Sequence, residues 1–582
     1  MTKRRARVLL LLALAYILCS PSFAPSGGFP FLDEPTAPQA TPRVAEKVTL
    51  TLLGTTDIHG NIEPEDYYTN QPANRGLAKI ATLIRAIRAQ QPNVLLLDSG
   101  DTVQGTPLAY HFARLDTTKP NPTIAVMNAL GYDAMACGNH EFNYGLQLLW
   151  KVKSEAKFPI LAANLRQTYT RKDGVKYFRP YVIRKIAGFR VGIVGFITPE
   201  VPRWEVPENY RGYEFEQIVD AARRVIPEVR KQVDLLVVIA HSGLGRELDA
   251  ATPPATDESP GENAMAALAE QVPGIDVILF GHTHLEVPEK FVNGVLLAQA
   301  KNWGQSLARV TIEMHRDASD HWTIAAKHSA TIPVTDAVSA DPEILRLAAP
   351  YERETQAGLD RPMATSAADL DALTARYEDH PLVDLIHQVQ MEAGHADVSL
   401  ATMFYAGVRF PSGQVTVRQL AWLYYYDNVL YVVEMTGAQL HEALEHAASF
   451  FPSWPRPPGE TLRLPGYNAD SAEGVSYVMD LTRPTGERIR DLTYQGKPLD
   501  PGAKLRVAIN NYRYSGGGRY DVYRGLPVVY RSPREIRELL IDYVRRRGAI
   551  PTIADGNWRI EPADAREAIL REARAGGATQ SR

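Results

Sequence analysis

Residues 133–143 read Asp133-Ala134-Met135-Ala136-Cys137-Gly138-Asn139-His140-Glu141-Phe142-Asn143. A short apolar run ends near a glycine, and an amide, an imidazole and a carboxylate follow at once. The arrangement recurs along the chain. Lys47–Leu53 precedes Asp57-Ile58-His59, Asn93–Leu97 precedes Gly100-Asp101, Asp234–Ile239 precedes Ala240-His241, and Ile275–Phe280 precedes Gly281-His282 and His284. Each run is leucine-rich or β-branched and of strand length. The polar residues therefore fall on turns just past strand ends, where layered α/β folds collect their sites because strands fix the backbone while loops present side chains. Gly100, Gly138 and Gly281 fit turns in which a Cβ would hinder the backbone.

As candidate ligands these motifs supply two carboxylates, Asp57 and Asp101, the Asn139 amide and four imidazoles, His59, His241, His282 and His284. Carboxylate, imidazole and amide donors suit Zn, Mn, Fe or Co rather than a thiolate-selecting ion, and the number of donors matches a two-metal hydrolase with one imidazole, His140, to spare. Two cations held close together need a bridging anion, which a carboxylate at a strand end provides.

The order D-x-H, G-D, G-N-H-E, H, G-H-x-H resembles the calcineurin-like metallophosphoesterases. More narrowly, the chain resembles the secreted 5′-nucleotidase and 2′,3′-cyclic-nucleotide phosphodiesterase family from about residue 47 to 560. Gly100-Asp101-Thr102-Val103-Gln104-Gly105 and Gly138-Asn139-His140-Glu141-Phe142 carry that resemblance. It implies one divalent ion on Asp57, His59, Asp101 and His284, and a second on Asp101, Asn139, His241 and His282. It also implies that His140 stabilises charge on the phosphate or protonates the leaving oxygen, oriented by the residue three places on. In 5′-nucleotidases that residue is an aspartate, whereas here it is Asn143. An amide can orient an imidazole but cannot stabilise an imidazolium as a carboxylate does. This departure resembles the cyclic-nucleotide branch.

The resemblance extends to substrate. Tyr424-Tyr425-Tyr426-Asp427-Asn428 and Asn511-Tyr512-Arg513-Tyr514-Ser515-Gly516-Gly517-Gly518 align with two loops that each offer an aromatic ring to a nucleobase, which places Tyr426 and Tyr512 as the clamp. Asn428, Gly516 and Gly517 are their expected neighbours at the substrate. Arg409, in Gly407-Val408-Arg409, matches a substrate-binding arginine in part. Asn164 has two readings, a phosphate contact or a turn cap. Together these imply an enzyme that opens 2′,3′-cyclic nucleotides and removes the remaining 3′-phosphate. The alternatives are a 5′-nucleotidase or nucleotide-sugar hydrolase, a thiosulfate-type sulfur hydrolase, and a non-catalytic surface binding protein.

At 582 residues the chain is too long for one core. Residues 1–24 combine Lys3, Arg4, Arg5 and Arg7 with the apolar run Val8–Cys19, the pattern of a secretory signal peptide. Export to a periplasmic or extracellular space follows, with no stable membrane insertion after cleavage. The formal charge of −4 would become near −8 without those four cations, so no nucleic-acid polymer is expected as a partner. Cys137 would be the only cysteine left, a small buried hydrophobe with nothing to pair with.

The fold class is α/β. Residues 25–44 read as a flexible tether, 45–334 as a two-sheet layered metallophosphoesterase domain, 335–365 as a linker helix and hinge, 366–562 as a smaller α/β nucleotide-binding domain, and 563–582 as a tail. Helices are expected over Gly76–Gln90, Thr123–Leu130, Phe215–Gln232, 341–357, Pro381–Glu392, Gly437–Ala448, Arg534–Arg546 and, within the tail, Asp564–Arg574, and Gly358–Ala367 reads as a loop.

Overall fold

Strands buried on both faces read as nearly unbroken apolar runs, and the runs before each polar motif are of this kind. The computed structural model describes residues 46–168, 177–245, 261–457 and 468–577; the expected leader and tether lie outside them. Glu46–Thr55 is the hub of a six-stranded sheet, parallel to Val94–Asp98 on one side and antiparallel to Ser306–Arg316 on the other. Val94–Asp98 continues in parallel to Ala134–Ala136 and Ile160–Leu161. A second six-stranded sheet sets Phe189–Ile197, Leu235–His241, Val277–Phe280 and Val295–Gln299 side by side in parallel.

Period-two alternation divides each strand between two cores. Leu50, Leu52, Leu95 and Leu97 of the first sheet meet Ile193, Val237, Ile239 and Leu279 of the second in the layer between them. The alternate residues Leu53 and Leu96 face outward onto the helices Leu77–Gln90 and Pro122–Leu130. On the far side, Val194, Val238 and Ile278 pack against Ile218–Arg230 and Met265–Gln271. Each fully buried aliphatic side chain contributes roughly 1.5–3 kcal/mol. The two sheets are thereby clamped face to face, and the carboxyl ends of their parallel strands open on one edge.

Pro342–Leu359 begins where a proline at the first turn and an acidic cap predict: Asp341 accepts from the backbone N–H of Glu343 and Ile344, at 2.9 and 3.1 Å. The helix packs Ile344, Ala348 and Leu359 into the first core, and Arg85 Nε lies 2.7 Å from Asp341 Oδ2. It is therefore packed on the first sheet's helices rather than free. Its end meets the following part of the chain through Arg418, whose guanidinium donates to Asp360 Oδ1 and Gln356 Oε1, both at 2.6 Å, and to the carbonyl of Tyr67.

The expected loop 358–367 is instead largely a strand, Pro362–Ser366, paired antiparallel with Gly413–Thr416. Only Ala364 and Ser366 of it are buried, too short an alternation to stand out in the sequence. Beyond it, a five-stranded sheet centred on Lys504–Asn510 and Val429–Thr436 and a four-stranded sheet centred on Val475–Asp480 and Ile489–Tyr494 complete the fold. The helix Ala563–Gly577, within the expected tail, buries Ala565 and Ile569 in the core of these sheets.

At the start of Pro381–Gly394, Asp379, Asp384 and Asp555 each bring a carboxylate oxygen within 4.8 Å of the others. A helix N-terminus favours an anion, but burial and then the charge of Asp379 dominate and push the Asp384 carboxyl up to about 9. An unfolded aspartate titrates near 3.9. Between these values the folded chain holds a proton that the unfolded chain has lost, so stability is fully present below about 4 and falls as pH rises to about 9. In chelator, Asp384→Asn is therefore expected to gain melting temperature over the parent progressively from pH 5 to pH 9. A difference that does not change with pH would contradict this reading.

Candidate active site

Asp57, Asp101, Asn139, His241 and His282 all lie at or just past the carboxyl ends of parallel strands, on the edge where the two sheets meet. Backbone hydrogen bonds lace the loops together: Asp57 N donates to Gly100 O and His59 N to Asp101 O, both at 2.9 Å. Asp57, His59, Asp101, His282 and His284 all adopt positive φ, between 49° and 86°. Non-glycine residues seldom occupy this region, and strain of this kind gathers at functional sites where the surroundings over-determine it. One such determinant is Glu141. Its buried carboxylate accepts the backbone N–H of Asp101, Thr102 and Gly138, at 3.0, 2.7 and 2.6 Å, pinning two of the loops at once.

The expected donors converge. One cluster holds Asp57, His59 and His284, and another holds Asp101, His241 and His282. Asp101 Oδ2 is 2.8 Å from His241 Nε2, 3.8 Å from His140 Nε2 and 4.0 Å from His59 Nε2, so it stands between them. His59 and His241 turn Nδ1 to backbone carbonyls, Gln104 O at 3.0 Å and Ser99 O at 2.9 Å. An imidazole that donates through Nδ1 presents the Nε2 lone pair, which is the arrangement a metal requires. Burial, followed by the nearby His284, holds the His59 imidazole down at about 4, which keeps it neutral. The Nε2 atoms of His59 and His284 face each other at 3.1 Å.

The donors fit metal ions on a further observation. Asn139 Oδ1 is buried and has no hydrogen-bond partner among the described residues, an orphan acceptor in the loop that also carries His140. His282 is held by Glu262, its Nε2 3.2 Å from Glu262 Oε1, which leaves Nδ1 as its remaining nitrogen.

His140 is within reach of the same point but is tied differently. Its Nδ1 hydrogen-bonds Asn143 Oδ1, and its backbone N–H donates to Asp101 Oδ1 at 2.8 Å. Asn164 caps no turn of its own; it ties two strand ends together, its Nδ2 donating to the carbonyls of Ile197 and Glu216 and its Oδ1 accepting from Ile197 N. Cys137 is buried and unpaired in any disulfide.

On the substrate side, the two aromatic loops are tied to each other, because Asn511 Oδ1 accepts from Val429 N at 3.0 Å. Tyr426 is 39 % exposed, with its ring among Phe404, Tyr405 and Tyr425. Tyr512 is half-buried, and Gly517 lies so close to it that a Cβ would come within 2.4 Å of the ring. Gly516 has φ +90°, an ordinary value only for glycine. The Asn428 side chain is engaged with the hydroxyl of Tyr424. Arg409 is exposed on the short strand Arg409–Phe410, opposite Asp371, and is not drawn into these hydrogen bonds. An arginine unmarked by the sequence reading, Arg376, braces the aromatic loop from beneath, donating to the carbonyls of Met403 and Phe404.

Glu141, Glu262, Gln104 and Glu205 also escaped that reading as functional residues. Gln104 links the two halves: its carbonyl receives His59, and its side-chain amide donates to Asp427, whose other oxygen takes the buried guanidinium of Arg537. Only its place in the Gly100–Gly105 motif could have marked Gln104. Glu205 has no signal in the sequence.

Comparison with known proteins identifies two families along the chain. Residues 50–286 match the calcineurin-like phosphoesterase family, and 361–525 match the 5′-nucleotidase C-terminal domain. The chain is 32% identical to a Haemophilus influenzae protein named 2′,3′-cyclic-nucleotide 2′-phosphodiesterase/3′-nucleotidase, over 88% of each chain. It is 30% identical to the Bacillus subtilis trifunctional nucleotide phosphoesterase protein YfkN over 91% of its own length, but spans only 40% of that longer protein. It superposes on the crystal structure of the 5′-nucleotidase precursor from Thermus thermophilus with a TM-score of 0.60 and 25% identity, covering 88% of this chain and all of that one.

The geometry sets the outcome of substitutions at the donors. Asp101→Ala is expected to lose metal, whereas His140→Ala keeps it and loses turnover. At Gly281 an added Cβ would fall 1.8 Å from Thr56 Oγ1 and 2.6 Å from Asp57 Oδ2, so Gly281→Ala should displace Asp57, lose metal and cost about 1–3 kcal/mol of stability. Metal analysis of the purified variants checks all three. Full metal content in Asp101→Ala or Gly281→Ala, or metal loss in His140→Ala, would overturn the assignment.

Proposed function

The chain belongs to the calcineurin-like phosphoesterases that carry a 5′-nucleotidase C-terminal domain, and from that membership we propose that it hydrolyses 2′,3′-cyclic nucleotides, and then 3′-nucleotides, to nucleoside and phosphate. The observation that carries this reading is the full set of donors at the strand ends combined with Asn143, rather than a carboxylate, behind His140. One divalent ion is assigned to Asp57, His59, Asp101 and His284 and a second to Asp101, Asn139, His241 and His282, with Asp101 shared. When bound, they supply charge neutralisation at the phosphate and a water nucleophile competent near neutral pH.

The chain's own residues do the rest. His140, with Nδ1 committed to Asn143, has Nε2 free to donate a hydrogen bond to a phosphate oxygen or a proton to the leaving alkoxide. In the first step that leaving group is the ribose 2′-oxygen, and in the second the 3′-oxygen. Because both lie on one ribose edge, a single imidazole can serve both steps with the base held in place. Tyr426 and Tyr512 hold the base by stacking, a contact worth roughly 1–3 kcal/mol per face at comparable sites. The tie between Val429 and Asn511 keeps their loops together.

Export completes the reading. The basic start and the apolar run Val8–Cys19 support a cleaved leader, and no described helix is long and apolar enough to cross a membrane.

Phosphate release from 2′,3′-cyclic AMP, 3′-AMP and 5′-AMP, measured side by side, should rank 5′-AMP lowest in kcat/KM. A preference for 5′-AMP or a nucleotide sugar would replace this assignment with that of a 5′-nucleotidase. Alanine at both Tyr426 and Tyr512 should raise KM for nucleotides by about tenfold or more while changing hydrolysis of bis(p-nitrophenyl) phosphate, which has no base, far less. Equal losses on both substrates would mean that the tyrosines support the fold and not the base.

A further inference from the structure

A nine-residue stretch, 201–209, touches three parts of the site. Arg203 donates to the carbonyl of Ser515 in the glycine loop and lies 3.7 Å from Glu262, the partner of His282. Trp204 sets its ring 5.4 Å from that of His282, and its carbonyl accepts from Asn511 Nδ2 at 3.1 Å. Glu205 turns the other way. Its Oε1 accepts from Asn143 Nδ2, and its Oε2 accepts from Asn209 Nδ2 at 2.6 Å. Asn209 Nδ2 also reaches the carbonyl of Asn143, at 3.1 Å.

The two ends of an amide are alike in shape and opposite in chemistry. With an amide N–H on each oxygen, from Asn143 and from Asn209, Glu205 accepts at both, so the Asn143 end that faces it is the NH2. The carbonyl oxygen is then forced toward His140, and His140 must carry hydrogen on Nδ1 to bond it. Its Nε2, 3.8 Å from Asp101 Oδ2, is left as the nitrogen that exchanges a proton within the site. Without Glu205 nothing in this chain of contacts distinguishes the two ends of Asn143. The flipped amide would turn a donor toward Nδ1 and select the opposite tautomer.

We propose that Glu205 is a positioning residue that fixes the Asn143 amide and, through it, the reactive tautomer of His140. Two links, amide and carboxylate, thus supply the orienting half of what a single carboxylate at position 143 would do, without its negative charge beside the imidazole. The inference rests on the reading of His140 as the acid of a phosphoesterase, but not on which nucleotide is cleaved.

The test uses the metal-loaded full chain and bis(p-nitrophenyl) phosphate, so that it stands whatever the ranking of nucleotides. Glu205→Leu frees the amide, and Asn143→Asp sets two carboxylates against each other. Each should lower kcat by about ten- to a hundredfold, the usual scale for an orienting partner, with KM and metal content nearly unchanged. In Asn143→Asp with Glu205→Gln, the new amide at 205 donates to the new carboxylate at 143, which still accepts from His140 Nδ1. This double variant should recover most of the kcat lost by Asn143→Asp alone. A role confined to packing would give no such rescue. The proposal is overturned if Glu205→Leu keeps kcat within twofold of the parent, or if the double variant is no better than Asn143→Asp. Should Glu205→Leu not fold, the rescue comparison decides by itself.

Discussion

A buried carboxylate ringed by imidazoles is the constraint on which the rest of the structure depends. Asp101 is 1 % exposed, with ring nitrogens of His241, His140 and His59 at 2.8, 3.8 and 4.0 Å. A buried charge is tolerated only when paired or when it holds a cation, and no single partner here is enough. The fold meets this demand by bringing two sheets together at the carboxyl ends of their strands and bending the loops into left-handed backbone at five proposed ligand positions. That strain needs opposing contacts. Glu141 provides them by taking three N–H groups from two loops, although it touches none of the proposed ions' space itself.

The C-terminal part of the chain is joined to this arrangement by polar contacts, with the rings of Tyr68 and Tyr425 and the side chains of Val206 and Val417 packed beside them. Gln104 connects the ligand His59 to Asp427 in the aromatic loop; Arg203 connects Glu262 and the glycine loop; Arg418 ties Asp360 to Tyr67. Hydrogen bonds to charged groups have modest net energies, about 1.5–3 kcal/mol each, because water competes for the same groups. They suit a contact that defines a geometry while remaining able to part, in contrast to the apolar layer between the two N-terminal sheets.

Much of this was legible in the sequence. The strands Glu46–Thr55, Val94–Asp98 and Leu235–His241 stand out because burial on both faces leaves few polar interruptions, and the proposed ligand positions stand out because Asp, His and Asn recur after several such runs. The strand Pro362–Ser366 was hidden because its alternation is short and its partner, Gly413–Thr416, is distant. Glu205, Glu262 and Arg376 were hidden for another reason. A lone charged residue carries no period, and its importance arises only when the fold sets it against Asn143, His282 or the carbonyls of 403 and 404. Asn164 shows the converse: a polar residue at a strand end with the right chemistry that spends it on the backbone of two distant strand ends, at Ile197 and Glu216.

The central claim is that two cations share Asp101 across the edge where the sheets meet. Crystals of the protein grown or soaked in manganese, with anomalous scattering recorded at a wavelength where that metal contributes strongly, examine it directly. The account predicts two peaks, one among Asp57, His59 and His284 and one among Asn139, His241 and His282, with Asp101 in contact with both. One peak at full occupancy, or two peaks of which Asp101 touches only one, would contradict it.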